Sequence, residues 1–166
     1  MTVQLTVRSR TEAETEAVAH AIGELLPDGA VIGLTGMLGS GKTCFVRGLA
    51  AGLGIDPREV SSPTFVYLVE YTRGRLPLRH ADLYRLGDLP PDTAKEAFLG
   101  IGLYDAIERD GVTVVEWWDY YVGPVPDRLL LVEFVIETVD LRTLKLTFSG
   151  AALEPLARAL GAEERG

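Results

Sequence analysis

The fold of this chain is decided by residues 36–43, which read GMLGSGKT. They match the phosphate-binding loop pattern G-x-x-x-x-G-K-[S/T] at every fixed position. The preceding run 30–35, AVIGLT, predicts a buried strand, and the following stretch 45–53 predicts a helix. The alternative is a Gly-rich turn that ends in Lys-Thr by chance. Such a turn would not be expected between a strand and a helix, so the predicted strand–loop–helix order favours a phosphate-binding loop.

The residue types in this loop suit a polyphosphate. Its three glycines can adopt positive φ angles and leave room for a close approach. Main-chain N–H groups of the loop and of the first helical turn can then point at the phosphates. We expect these contacts from Gly36, Leu38, Gly39, Ser40, Gly41, Lys42, Thr43 and Cys44. Lys42 is predicted to reach the β- and γ-phosphates, and the Thr43 hydroxyl to hold Mg²⁺.

The composition indicates a single domain over residues 1–166, with enough apolar side chains (47%) for one buried core. No apolar run approaches the roughly 18 residues that a membrane span needs. The N-terminus lacks the apolar stretch of a secretion signal. Because there is one cysteine, no internal disulfide can form. We therefore expect a cytoplasmic protein that does not contact a membrane.

The formal net charge is −8, whereas a surface that binds the phosphate backbone of a nucleic acid is usually positively charged. Direct DNA binding is therefore not expected. Four arginines nevertheless lie within thirteen residues: Arg73, Arg75, Arg79 and Arg85. Charge runs are usually solvated, so the pattern favours a hairpin with basic side chains over a contact patch for RNA or an acidic partner.

Hydrophobic periodicity and turn residues predict an alternation of strands and helices. We expect strands at 3–7, 30–35, 65–71, 76–83, 112–116, 129–138 and 141–148, and helices at 11–26, 45–53, 93–98, 103–109 and 154–160. Thr11 and Glu14 have the spacing of a capping box at the start of the first helix. These elements predict an α/β fold, a three-layer P-loop NTPase-like domain with a mixed parallel and antiparallel central sheet.

A nucleotide hydrolase also needs acidic groups that hold the metal and place a water. Glu116 ends an apolar strand and could contact Mg²⁺, contact it through water or orient the attacking water; a solvent-exposed strand end is the alternative. Asp82 also ends a predicted strand, and the pattern leaves a metal-site residue and a structural hydrogen-bond acceptor equally open. Thr64 lies in the loop where switch-type enzymes place a hydroxyl that senses the γ-phosphate, although a simple turn hydroxyl is the default.

Three further side chains lie next to these in the sequence. His80 is either a catalytic base or a structural strand residue, and the second is the commoner case. Cys44 occupies the first helical turn, where the dipole can lower a thiol pKa, but a lone cysteine favours simple packing. Trp117 is either packed in the core or rim, or exposed as an anchor for a partner.

Taken together, these residues resemble the TsaE family, also called YjeE, the bacterial ATPase of tRNA threonylcarbamoyladenosine biosynthesis. The likeness covers roughly residues 10–148. The loop itself is common to many phosphate-binding proteins. Three later segments, in this order, are specific to the family: SPTF at 62–65, HADLYRL at 80–86 and VEW at 115–117.

The resemblance implies a role for most of the residues named above. It implies a catalytic role for Lys42, Asp82, Glu116 and Thr64, a Mg²⁺ site at Thr43 and Glu116, nucleotide contacts at Glu12 and Arg142, and a position at the site rim for Trp117. The implied cofactors are ATP and Mg²⁺. The implied partners are TsaD-like and TsaB-like proteins, with tRNA reached only through that complex.

Two departures from the family pattern and three alternative functions accompany this interpretation. Met37 stands where the family usually has an acid, and WDYY at 118–121 replaces a Pro-containing segment. A small-molecule P-loop kinase is the main alternative, although no Arg-rich lid is evident between Glu96 and Asp110. A GTPase is disfavoured because the sequence contains no Asn-Lys-x-Asp motif. A nucleotide-sensing module without useful turnover is the third class.

Overall fold

Eight strands form one sheet in the computed structural model of the protein, which describes residues 2–164. The strands are Thr2–Ser9 (β1), Val31–Thr35 (β2), Leu68–Tyr71 (β3), Leu78–Asp82 (β4), Val112–Glu116 (β5), Leu129–Thr138 (β6), Leu141–Ser149 (β7) and Glu163–Glu164 (β8). Their order across the sheet is β3-β4-β5-β2-β6-β7-β1-β8.

The centre of the sheet is parallel and its margins are antiparallel. β4, β5, β2 and β6 run side by side in the same direction, whereas β3, β7, β1 and β8 each pair antiparallel with a neighbour. Every residue of β4 and β5 is buried, as expected for parallel strands that are covered on both faces. The predicted mixed sheet is confirmed.

In the described part of the chain, five α-helices cover the sheet: Glu12–Leu25 (α1), Lys42–Gly52 (α2), Pro91–Ile101 (α3), Leu103–Glu108 (α4) and Glu154–Ala159 (α5). Leu78 and Val114 pack in the same apolar cluster as α1, α2 and α5. Ala81 and Val115, which point to the other face, pack with α3 and α4. This arrangement confirms the predicted three-layer α/β fold. Within residues 2–164, no helix is long and apolar enough to cross a membrane.

The strand predicted at 65–71 is wrong in its first half. Phe65 and Val66 form an exposed turn, and β3 begins only at Leu68. The physical reason is local: Tyr67 has a φ of 67°, and its N–H donates to the Pro63 carbonyl oxygen at 2.7 Å. A left-handed residue bonded back into the preceding loop cannot continue a strand ladder.

The first helix starts where the capping box predicts, but one of its two bonds differs. Thr11 is the N-cap, and its hydroxyl accepts the Glu14 N–H at 3.1 Å. The Glu14 carboxylate accepts the N–H of Arg10 at 2.6 Å, one residue before the N–H that a standard capping box uses. Farther along, α3 continues through Gly100 to Ile101, three residues beyond its predicted end.

The four arginines do not form one solvated surface. Arg79 is only 2% exposed, donates to the Asp110 carbonyl oxygen and lies 3.5 Å from the Glu70 carboxylate. Arg75 donates to the Leu26 carbonyl oxygen after α1 at 3.0 Å, where a cation complements the helix dipole. The prediction of a basic solvated hairpin is therefore wrong for Arg79, which is buried. Arg75 is exposed as predicted, although its guanidinium binds main-chain acceptors.

Candidate functional site

The predicted site residues converge at the carboxyl ends of the parallel strands. Residues 36–41 follow β2 and lead into α2, while Asp82 and Glu116 are the last residues of β4 and β5. These two acids are register partners on neighbouring strands. In open α/β sheets, ligands bind at this edge.

The loop backbone requires glycine at two positions. Gly36 has a φ of 149°, and a Cβ there would lie 2.7 Å from Ser40 Oγ and 2.9 Å from Phe134 Cβ. Gly41 has a φ of 111° and forms the N-cap of α2, where the structure shows no side-chain cap. With Gly39, whose φ is 77°, they confirm the predicted positive angles. The first N–H groups of α2 are therefore left to an anionic ligand.

The Lys42 ammonium lies over this loop. Its Nζ donates to the Gly36 carbonyl oxygen at 2.5 Å and to that of Met37 at 3.0 Å, and it lies 4.0 Å from the Trp117 ring centroid. Burial lowers the pKa of Lys42, and nearby carboxylates, chiefly that of Glu116, oppose this shift. A phosphate here would meet a partly desolvated cation, to which it is attracted more strongly than to one in bulk water.

Glu116 connects the loop helix to the sheet. Its carboxylate accepts the Thr43 hydroxyl, at 3.0 and 3.2 Å from its two oxygens, and His80 Nε2 lies 2.5 Å from Oε2. Glu116 is 3% exposed, so it is not the solvent-exposed strand end of the alternative interpretation. A hydroxyl and a carboxylate side by side are the oxygen ligands that Mg²⁺ prefers.

Asp82 binds the loop that precedes β3. Its Oδ2 accepts the Ser62 hydroxyl at 2.5 Å and the Thr64 hydroxyl at 3.0 Å, and its Oδ1 accepts the Tyr84 N–H at 2.9 Å. Asp82 is 3% exposed. Asp82 is therefore a hydrogen-bond acceptor that fixes the position of Thr64, which places the predicted sensing hydroxyl beside the site.

The Cys44 thiol differs from one sequence expectation. It is buried, and its Sγ donates to the Glu12 carbonyl oxygen at 3.4 Å. Burial, with the charges of Glu16 and Glu12, raises the pKa of Cys44 to about 12. The prediction that the helix dipole lowers the pKa of Cys44 is therefore wrong, and the prediction of a packed side chain is confirmed.

Trp117 is half-buried at the rim of the site. It has a φ of 61°, a left-handed conformation that is uncommon outside glycine. Its ring stacks on Tyr120 with centroids 5.5 Å apart and leans on Tyr84 at 5.0 Å. The indole also lies beside the Lys42 ammonium, so the residue packs at the rim as one of the two interpretations predicts.

Two adjacent cavities open between these groups. One, of about 430 Å³, brings together the loop, the acids and the rim; it is lined by Glu12, Leu38, Gly39, Gly41, Lys42, Thr43, Cys44, Arg47, Ser62, Thr64, Asp82, Tyr84, Glu116 and Trp117. The other, of about 180 Å³, lies on the far side of the loop, between α1 and the β6–β7 turn, and Glu12 and Arg142 both line it. All predicted site residues except Gly36 thus line one or both of these cavities, which share Glu12, Gly39, Gly41 and Cys44.

Two contributors were missed or left open at the sequence level. Ser62 was not predicted, yet its hydroxyl makes the shortest bond to Asp82. His80 was left between base and structural residue, and it contacts Glu116. The available signal was spacing, since His80 lies two residues before Asp82 and therefore points to the same face of β4.

The chain is similar to known proteins in both sequence and fold. Residues 9–144 match the family model described as threonylcarbamoyl adenosine biosynthesis protein TsaE. The TsaE protein of Treponema pallidum is 41% identical over 136 residues, which cover 82% of this chain and 90% of that protein. The TsaE protein of Bacillus subtilis is 36% identical over 157 residues, which cover 95% of this chain and 94% of that protein. The crystal structure of Bacillus subtilis YdiB superposes with a TM-score of 0.77 at 32% identity, covering 96% of this chain and 95% of YdiB. This chain therefore belongs to the TsaE family of tRNA threonylcarbamoyladenosine biosynthesis proteins.

Proposed function

We propose that this protein is a Mg²⁺-dependent ATPase that serves as a subunit of the machinery making threonylcarbamoyladenosine next to the tRNA anticodon. The family supports the pathway. The observation that carries the ATPase proposal is the contact between Thr43 and Glu116, which brings a hydroxyl from the loop helix onto a buried strand-end carboxylate. Phosphate-binding folds use such a pair to hold a nucleotide-bound metal.

The nucleotide would be bound chiefly by main-chain groups. The N–H groups of residues 36–44 would donate to the phosphates, and Lys42 would exchange its two carbonyl acceptors for phosphate oxygens. Glu12 and Arg142, which line the cavity across the loop, would contact the nucleoside side. These assignments account for the predicted cofactor-binding residues.

The metal would be held by Thr43 and Glu116 together with the phosphates. Among the described residues, no group of three or more His, Cys, Asp or Glu side chains is arranged to hold a metal by itself. A site completed by substrate phosphates is typical for Mg²⁺, which seldom uses an all-protein cage. When bound, Mg²⁺ would neutralise charge that develops on the β- and γ-phosphate oxygens.

Asp82 and Thr64 would couple the state of the nucleotide to the loop 61–64. Thr64 now donates to Asp82, and a γ-phosphate at the loop would compete for this hydroxyl. The exposed turn that follows, with Phe65 80% and Val66 63% exposed, would then move with it. Such order changes in a segment beside the γ-phosphate are a common form of nucleotide switch.

TsaD-like and TsaB-like proteins are the proposed partners, with nucleotide binding and hydrolysis regulating their complex. The half-buried Trp117 lies at the rim of the site, and the exposed turn 65–66 directly follows Thr64, which lines it. A partner bound there would respond to the nucleotide. Because the net charge is −8, tRNA would be bound by the partners rather than by this chain. We also propose a cytoplasmic location, which is consistent with the role of the family in tRNA modification.

Isothermal titration with ATP, with and without Mg²⁺, and a phosphate-release assay with and without the partner proteins test the proposal. Lys42→Ala should weaken nucleotide binding or turnover strongly, because it removes the ammonium that lies against the loop carbonyls. Glu116→Ala should spare most of the binding and damage hydrolysis. ATP hydrolysis by the Glu116→Ala variant at the wild-type rate would contradict the role assigned to Glu116. Transfer to a small acceptor at enzyme-like rates would instead favour the kinase.

A further inference from the structure

His80 lies behind the proposed metal ligand, in the middle of β4. It is 0% exposed, and its Nε2 is 2.5 Å from Oε2 of Glu116. An ionised carboxylate can only accept a hydrogen bond, so the hydrogen in this contact belongs to the imidazole. Glu116 therefore accepts donors from two directions: from Thr43 on the loop helix and from His80 on the neighbouring strand.

The surroundings of the two imidazole nitrogens exclude His80 as the general base. Nδ1 is buried and has no hydrogen-bond partner among residues 2–164. Neither nitrogen can therefore reach an attacking water: Nε2 is engaged by Glu116, and Nδ1 faces the interior. A general base must lie within hydrogen-bond reach of the proton that it removes. The polar function of this side chain is directed at Glu116 alone.

We propose that His80 is a positioning residue that orients the Glu116 carboxylate as a ligand for the nucleotide-bound metal. The inference rests on the proposed function, because it concerns the same site. Without the imidazole, Glu116 would keep the Thr43 contact but could rotate about its terminal bond. A carboxylate that must be reordered by the metal binds it more weakly, and removing such supporting partners typically costs about 10- to 100-fold in metal affinity or activity.

A purely structural His80 would predict a different pattern of effects. Loss of a buried, well-packed side chain would lower stability and would change nucleotide and metal affinity together. A positioning role predicts a split: Mg²⁺ affinity falls while metal-free nucleotide affinity stays the same, since no nucleotide contact involves His80. It also predicts rescue by a side chain that restores the donor at the same distance.

The experiment compares His80→Leu, which removes the donor, with His80→Gln, whose amide N–H can reach the position of Nε2. ADP affinity is measured in EDTA by calorimetry, and Mn²⁺ affinity of the ADP complex is measured by electron paramagnetic resonance. We expect His80→Leu to weaken Mn²⁺ binding by about tenfold or more. Its affinity for ADP in the presence of EDTA should stay within about twofold of the wild-type value. His80→Gln should retain Mn²⁺ affinity within about threefold, because the donor is restored.

Thr113→Val is the matched control. Thr113 is 1% exposed in β5, and its hydroxyl donates to the Ala106 carbonyl oxygen, away from Glu116. The substitution should lower thermal stability but leave Mn²⁺ affinity unchanged. Wild-type Mn²⁺ affinity in a folded His80→Leu variant, or equal losses in His80→Leu and His80→Gln, would overturn the proposal. If the wild-type protein bound no metal–nucleotide, the proposed function itself would fail, which is a distinct result.

A second measurement covers the case in which His80→Leu does not fold. The chain has two histidines, and His20 has a side chain 46% exposed, so its ring proton exchanges with water. In ¹⁵N-labelled wild-type protein, a slowly exchanging imidazole N–H should therefore report His80. Its resonance should shift when Mg²⁺ is added to the ADP complex, because the acceptor carboxylate becomes a metal ligand. An unchanged resonance would overturn the positioning role.

Discussion

Cys44 shows how burial can override a helix dipole at a single residue. Its place in the first turn of α2 would favour the thiolate. The structure surrounds the sulfur instead with the Glu12 carbonyl oxygen and the Glu16 carboxylate, at 3.4 and 3.7 Å. Burial and these two acids raise the pKa of Cys44 to about 12. The thiol is therefore protonated at every physiological pH.

Slow thiol labelling is the expected consequence. At pH 8, moving the pKa from 9 to about 12 lowers the thiolate fraction roughly a thousandfold, while the higher basicity returns about a factor of 20 in reactivity. The native protein should therefore react with a disulfide reagent at least about 30-fold more slowly than the urea-unfolded chain. Stopped-flow absorbance measures both rates. Native labelling as fast as that of the unfolded chain would contradict the raised pKa.

At the scale of elements, α1 and α2 approach each other through glycine. A Cβ on Gly52 would lie 2.3 Å from the His20 carbonyl oxygen and 2.9 Å from Gly23 Cα. Real Cβ atoms do not approach backbone this closely, so an added methyl group must separate the helices. Because α2 carries Lys42 and Thr43 at its first turn, this contact also sets where the loop lies relative to the sheet.

Gly52→Ala should therefore destabilise the protein although alanine is the better helix former. Overpacking a tight contact costs about 1–3 kcal/mol, against a propensity gain of at most about 1 kcal/mol. Gly100→Ala is the matched control: Gly100 is exposed in α3, and a Cβ added there would meet nothing within 4 Å, so the substitution should stabilise by about 0.5–1 kcal/mol. Urea unfolding measures both. A Gly52→Ala variant as stable as wild type would refute the close approach.

The elements also mark how far the sequence alone could reach. β2 and β5 were predictable because buried parallel strands read as short apolar runs, and the loop was predictable because its motif is local. The contact of His80 with Glu116 was not, since it depends on the register that pairs Asp82 with Glu116. The turn at Phe65 was not predicted, because residues 65–71 have high β-propensity and nothing in a tyrosine's residue type predicts the left-handed conformation of Tyr67.

At the scale of the whole molecule, a buried thiol and several half-buried tyrosines of raised pKa link the fold to pH. Burial raises the pKa of Tyr121 to about 12, and it raises the pKa of Tyr71, Tyr104 and Tyr120 in the same direction. With Cys44, these groups keep their protons in the native state at a pH where the unfolded chain loses them. Lys42 acts in the opposite sense, because burial lowers its pKa.

The stability contributed by Cys44 and the tyrosines should therefore be constant below about pH 9 and fall as the pH rises toward 12. The sign follows from linkage: between the unfolded pKa values, 9.0 for Cys44 and 10.0 for Tyr121, and about 12 in the native state, the unfolded chain binds fewer protons. Cys44, which is buried, can contribute a slope of at most about 1.4 kcal/mol per pH unit, and solvent screening makes the contribution of each half-buried tyrosine smaller. Urea unfolding at pH 8, 9, 10 and 11 measures the decline, and Cys44→Ala should delay its onset by removing the group that titrates first. Constant stability from pH 8 to 11, or an onset that Cys44→Ala leaves in place, would show that these side chains are solvated in the native protein.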